Sequence, residues 1–163
     1  MDPTRRRHAR SVLDCGGMEG DPIPLRAHNV LCLHGFQGEG YSEAFITRLT
    51  EVYDRLNDDP SLEVRLQAKP DVLCEACPHL TDAGCSLGGA GHEAHMRTQD
   101  VDVLRRLGCA EGEVLAWWAV LRLVADSIRG SDLPAICTTC PWLSLGWCAT
   151  GIDALAARRA PGP

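Results

Sequence analysis

Apolar positions along the chain fall into a few separable runs, and the clearest of them is helical. From Ser42, a residue suited to cap a helix, Phe45, Ile46, Leu49, Val52, Tyr53 and Leu56 recur at steps of three and four, the period that lines one face of an α-helix. Glu43 suits its first turn, and Asp58-Asp59-Pro60 stops it near Asn57. Ahead of it, Leu25 to Phe36 is an apolar segment too short for its period to separate a buried strand from a buried helix. Behind it, Leu62 to Leu66 alternates apolar and charged residues, as a half-exposed strand does. Thr98 is placed to cap a second helix with Val101, Leu104 and Leu107 on its apolar side and Gly108 as its left-handed stop. Val114 to Arg129, with Trp117, Trp118, Val120, Leu121 and Val124, is the most apolar run and reads as a central core helix ended by Gly130; Ser131 then caps a short helix to about Ile136.

These elements predict one small α+β domain, predominantly helical, with one or two short strands, over residues 23–155. Residues 1–22 carry Arg5-Arg6-Arg7-His8 and Cys15 without hydrophobic period and read as a disordered tail, and residues 156–163 as a second one.

What the periodic runs leave over is mostly cysteine. Cys74-Glu-Ala-Cys77-Pro-His-Leu-Thr-Asp-Ala-Gly-Cys85 recurs as Cys137-Thr-Thr-Cys140-Pro-Trp-Leu-Ser-Leu-Gly-Trp-Cys148, with two residues inside the first gap and seven inside the second in both copies. A proline follows the second cysteine and a leucine stands two places beyond that proline in each copy. Two cysteines two residues apart can turn both sulfurs to one centre, in zinc knuckles, iron–sulfur proteins and dithiol redox sites alike. The third cysteine separates the cases, because redox chemistry needs only two sulfurs. The domain is therefore expected to carry two cysteine-rich metal-binding loops.

Composition then chooses the compartment and the partners. The chain has 163 residues, a net charge of −6 and nine cysteines. An acidic balance lacks the basic face that nucleic acid requires, and no apolar run reaches the ~18 residues of a membrane span or forms the core of a secretory signal. The expectation is a cytoplasmic protein with neither nucleic-acid nor membrane partners, whose thiols serve as ligands in preference to disulfides.

Each triplet is one ligand short of four. Cys32, flanked by His28 and His34, is the candidate to complete one site, leaving the other to a histidine, a carboxylate or an open iron; alternatively both triplets converge on one shared centre. The expected metal ligands are Cys32, Cys74, Cys77, Cys85, Cys137, Cys140, Cys148 and His28. Three cysteines plus a remote fourth suit an iron–sulfur cluster, with 4Fe-4S first, and a structural zinc module acting as an interaction scaffold is the alternative. Trp142 and Trp147 inside the second motif are placed either to shield a cluster from water or to pack in the core. His92 and His95, in a glycine-rich stretch, read as solvent-exposed loop residues, and Cys109 as a small buried hydrophobe. No catalytic constellation is legible: Val30 to Gly40 looks like the oxyanion turn of an α/β-hydrolase, but the partnering Gly-x-Ser-x-Gly elbow is missing. Electron transfer or redox sensing with a partner protein is the expected use, and an enzyme the lesser reading.

Leu25-Arg26-Ala27-His28 through Cys32, Gly35 through Ser42, the first cysteine motif and Cys140 through Cys148 together resemble the DUF1284 family of small prokaryotic proteins. The resemblance spans Leu25 to Ile152 and implies iron–sulfur binding without naming a reaction. It departs from the pattern at Asn29, where the family usually has a second histidine.

Overall fold

The short apolar segment whose period was ambiguous turns out to hold both elements. Ile23–Arg26 is strand β1 and Ala27–Leu33 is helix α1. The computed structural model describes residues 20–158; the expected N-terminal tail through residue 19, with Cys15, lies outside them, as do residues 159–163. Helix α2, Glu43–Asp58, starts where its cap predicts, with Ser42 Oγ accepting from Phe45 N at 3.1 Å, and buries Phe45, Leu49, Val52 and Leu56. Strand β2, Glu63–Gln67, runs parallel to β1 with Leu25 opposite Leu66. Its alternate residues Val64 and Leu66 are fully buried, the core-facing half of the alternation.

Three expectations need correction. The first concerns Val114 to Arg129, which is two elements and not one core helix. Val114–Ala116 is strand β5, antiparallel to β2, and helix α4 covers only Trp117–Ser127. Glu113 O accepts from Leu66 N and Leu66 O accepts from Gly112 N, so the open edge of β2 captures residues whose local pattern is equally helical. Among the described residues five short strands result, in a three-stranded sheet ordered β1-β2-β5 and a hairpin of β3, Leu80–Thr81, with β4, Gly84–Cys85, where one or two had been expected.

The second correction is helix α3, His92–Leu107, which starts well before Thr98. Thr98 lies inside it and returns its hydroxyl to Ala94 O at 3.0 Å. Its buried stripe is His92, Met96, Gln99, Asp100, Val103, Leu104 and Leu107, while Val101 is 46% exposed. That stripe keeps the helical period but carries polar residues, so apolar spacing alone points to the wrong face. His92 and His95 consequently stand in the first turns of α3 and not in an exposed loop: His92 is buried and stacks on His95.

The third is the form of the cysteine motifs, which are not simple loops. The first is a 3-10 turn, Cys74–Ala76, followed by the β3–β4 hairpin. The second begins as helix α5, Leu133–Ile136, ends and closes on helix α6, Trp147–Arg158. Helix α6 runs past the expected boundary at Ala156. A single apolar core joins α1, α2, α3, α4 and α6 to the three-stranded sheet. Among the described residues no helix is long and apolar enough to cross a membrane.

Candidate metal centre

Seven cysteines from separate parts of the chain come together at one place. Cys32, Cys74, Cys77, Cys85, Cys137, Cys140 and Cys148 all line a single cavity of about 130 Å³, and His28 lines it with them. That volume is several times the ~30 Å³ share of one water. All eight described cysteines are free thiols; the eighth, Cys109, packs at the core margin with its sulfur 3.8 Å from Leu107 O, away from the cavity. Among the described residues, no three His, Cys, Asp or Glu side chains stand in position to hold a single metal ion.

The two motifs repeat in backbone as well as in sequence. Cys77 N donates to Cys74 O at 2.9 Å and Leu80 N to Cys77 O at 3.2 Å; Cys140 N donates to Cys137 O at 3.1 Å and Leu143 N to Cys140 O at 3.3 Å. Each Cys-x-x-Cys is thus a tight turn followed by a second one, which directs both sulfurs to one side. The copies differ in how the third cysteine arrives, on a hairpin strand for Cys85 and in the first turn of α6 for Cys148.

Helix α1 brings two further ligand-type side chains to the cavity. His28 and Cys32 are four residues apart, on one helical face one turn from each other. Cys32 is partly buried and lines the cavity. Burial pushes its thiol pKa well up, and Cys148, Cys137 and Cys140 push it further; the turn after α1 closes on Cys148 itself. Gly35 makes that approach possible: a Cβ there would collide with Sγ and backbone atoms of Cys148. Burial, then the neighbouring thiols, hold Cys137 at about 12 and Cys148 at about 11. Such thiols are neutral unless a bound cation draws off their protons.

His28 is held from behind by a buried ionic network. Its Nδ1 donates to Asp100 Oδ1 at 2.7 Å, since a carboxylate oxygen can only accept, and Nε2 is the nitrogen not tied to Asp100. Asp100 is fully enclosed and also accepts from Arg26 Nε at 2.7 Å. Arg26, 1% exposed, forms a two-pronged pair with Glu93 at 2.9 Å, and Glu93 in turn accepts from Cys85 N at 2.8 Å. Burial acts to lower the pKa of Arg26, but its bonds to Glu93 and Asp100 outweigh that and raise it, so the guanidinium stays charged. One arginine therefore ties His28 to the strand carrying Cys85. Asp71, 3% exposed, does the same for Cys74, accepting from Arg26 N, Asn29 Nδ2, Leu73 N and Cys74 N at 2.6 to 3.0 Å.

A family model described as "Protein of unknown function (DUF1284)" matches residues 40–146. The chain belongs to the DUF1284 family. No curated protein and no solved structure matches it. The matched stretch contains five of the cavity cysteines, whereas His28, Cys32 and Cys148 fall outside it. Asn29, outside the matched stretch, uses its amide to hold Asp71 at 2.9 Å.

Tyr41 was not singled out in the sequence, yet it stands between the two repeats of this DUF1284 chain. Its ring lies 5.0 Å from His79 and 4.5 Å from Trp142, the residues at the same position in the two motifs. Burial raises its phenol pKa, and Cys32, Cys140, Cys77 and Cys85 add to the rise, two thiols from either side. Arg26, Asp71, Glu93 and Asp100 were missed as well. The available signal was the charge itself: an arginine in an apolar strand and an aspartate on an apolar helix stripe must be paired if buried. Trp142 and Trp147 line the cavity, while His92 and His95 do not.

Proposed function

We propose that this DUF1284 protein binds iron–sulfur clusters in the cysteine-lined cavity and works in electron transfer or redox sensing. The observation that carries the reading is the convergence of seven thiols and one carboxylate-supported histidine, delivered by separate elements, on a single cavity. Within it, Cys32, Cys137, Cys140 and Cys148 form one four-thiol set, and Cys74, Cys77 and Cys85 with His28 form a second set of four. Cluster ligands stand further apart than the ligands of one ion, because several irons lie between them, and seven thiols spread around one cavity suit that arrangement. A bound cluster supplies one-electron chemistry. The chain's own part is to hold the sulfurs, keep the carboxylate of Asp100 on His28, and exclude water with Tyr41, Trp142 and Trp147. The reading assigns the protein to the cytoplasm with a redox partner protein.

A second reading, structural zinc in the Cys74, Cys77, Cys85 and His28 set, is favoured by the Asp100–His28 pair, since zinc-ligating histidines so often donate their other nitrogen to a carboxylate. Anaerobic purification followed by visible absorption and iron, zinc and acid-labile sulfide analysis separates the two. Iron with equimolar sulfide and a brown chromophore is the expected result. A colourless protein with stoichiometric zinc and no sulfide overturns the cluster reading.

A further inference from the structure

A second cavity, of about 470 Å³, lies against the same segment that bears Cys32. Cys32 and Gly35 line the metal cavity, while Leu33 and His34 between them line this one. Four helices converge on it: Leu33 of α1, Leu56 of α2, Trp117 and Leu121 of α4, and Leu155 of α6 form an apolar wall. Its volume falls within the range of roughly 300–1,000 Å³ that holds small organic ligands, and an apolar wall with a few polar groups is the usual lining of such sites.

The polar lining residues His34, Tyr53, Asn57 and Arg158 are all capable of donating hydrogen bonds, and among the described residues no aspartate or glutamate joins them. In a chain of net charge −6 that selection stands out. The His34 ring stacks parallel to Trp117 with centroids 6.2 Å apart, giving the site one flat face. Arg158 is near enough for its charge to act on that ring. Gly151, also in the lining, lets α6 close on the end of α1, since a Cβ there would strike the carbonyl of His34.

We propose that this cavity binds a small organic monocarboxylate, with its hydrocarbon part against Leu56, Trp117, Leu121 and Leu155 and its carboxylate at Arg158 and Asn57. A dicarboxylate would leave its second charge against the apolar wall, and an organic cation would meet Arg158 with no counter-charge among the described lining residues. A ligand held there sits one residue from Cys32 along the chain, so occupancy is positioned to be felt at the metal cavity; the binding itself does not depend on what that cavity holds.

Calorimetric titration of the full chain, as isolated, with octanoate and with 1-octanol tests this. The expected result is saturable one-site binding of octanoate, at least tenfold weaker binding of octanol, and at least tenfold weaker octanoate binding by Arg158→Gln. Arg158 is exposed at the end of α6, so its replacement leaves the core intact; far-UV circular dichroism checks this. Leu121→Trp, which fills the apolar end, should abolish binding of both. Absence of saturable octanoate binding, equal affinity for octanol, or an Arg158→Gln variant that binds octanoate like the parent overturns the proposal.

Discussion

Replacing Asp100 with alanine removes the acceptor that Arg26 and His28 share. Both Asp100 and Arg26 are buried, at 0% and 1% exposure. The substitution deletes bonds of 2.7 Å from Arg26 Nε and His28 Nδ1, and one of 3.1 Å from His28 N. Hydrogen bonds to charged groups are worth about 1.5–3 kcal/mol each, and breaking one side of a buried ion pair costs about 3–5 kcal/mol, because the partner charge is stranded. Glu93 still holds the guanidinium from the other side, so about 4 kcal/mol is the expected loss, a large share of a domain's ~5–15 kcal/mol. At a urea slope of about 2 kcal/mol per molar, the unfolding midpoint should fall by about 2 M. The effect should shrink by more than half in an Arg26→Met background, where no buried cation remains to be stranded. A loss below about 1 kcal/mol, or the same loss with and without Arg26, would show that the network does not hold the site.

Tyr41→Ala should destabilise by about 3 kcal/mol, from contacts with both repeats worth about 0.5–1.5 kcal/mol each plus burial, whereas Tyr41→Phe should lose under about 1 kcal/mol; urea unfolding distinguishes them. Gly35→Ala should cost about 1–3 kcal/mol by overpacking and lower the metal content of the purified protein, because its Cβ displaces Cys148. The pH dependence of the metal-free chain should carry a mark of His34. Burial, then the charge of Arg158, lowers its pKa from 6.5 to about 4. The unfolded chain takes that proton first as pH falls, so the contribution is intact above about pH 6.5 and is lost by about pH 4, in total about 3 kcal/mol. His34→Gln should flatten the acid side of the stability profile by about 2.4 kcal/mol between pH 7 and 4.5, measured by urea unfolding.

Local signals were legible in the sequence and long-range ones were not. Ser42 and the spacing of Phe45, Leu49, Val52 and Leu56 announce α2 because a cap and a stripe are contained in the helix itself. The cysteine spacing marks the cavity lining for the same reason, and Cys32, expected beside the triplets, lines that cavity with them. Val114–Ala116 belongs to a strand only because β2 has a free edge, a fact of tertiary pairing. The face of α3 is turned by Asp100 meeting Arg26, 74 residues away. Tyr41 falls between the repeats because of how they fold together, and nothing near it in sequence marks the place.

The central claim is that the cavity between α1 and the two cysteine motifs holds iron. Crystals grown anaerobically from the full chain and measured on both sides of the iron absorption edge test it directly. The account predicts iron anomalous density inside the cavity, within bonding reach of Cys32, Cys137, Cys140 and Cys148. Density at the zinc edge alone, or iron only outside the cavity, would contradict it.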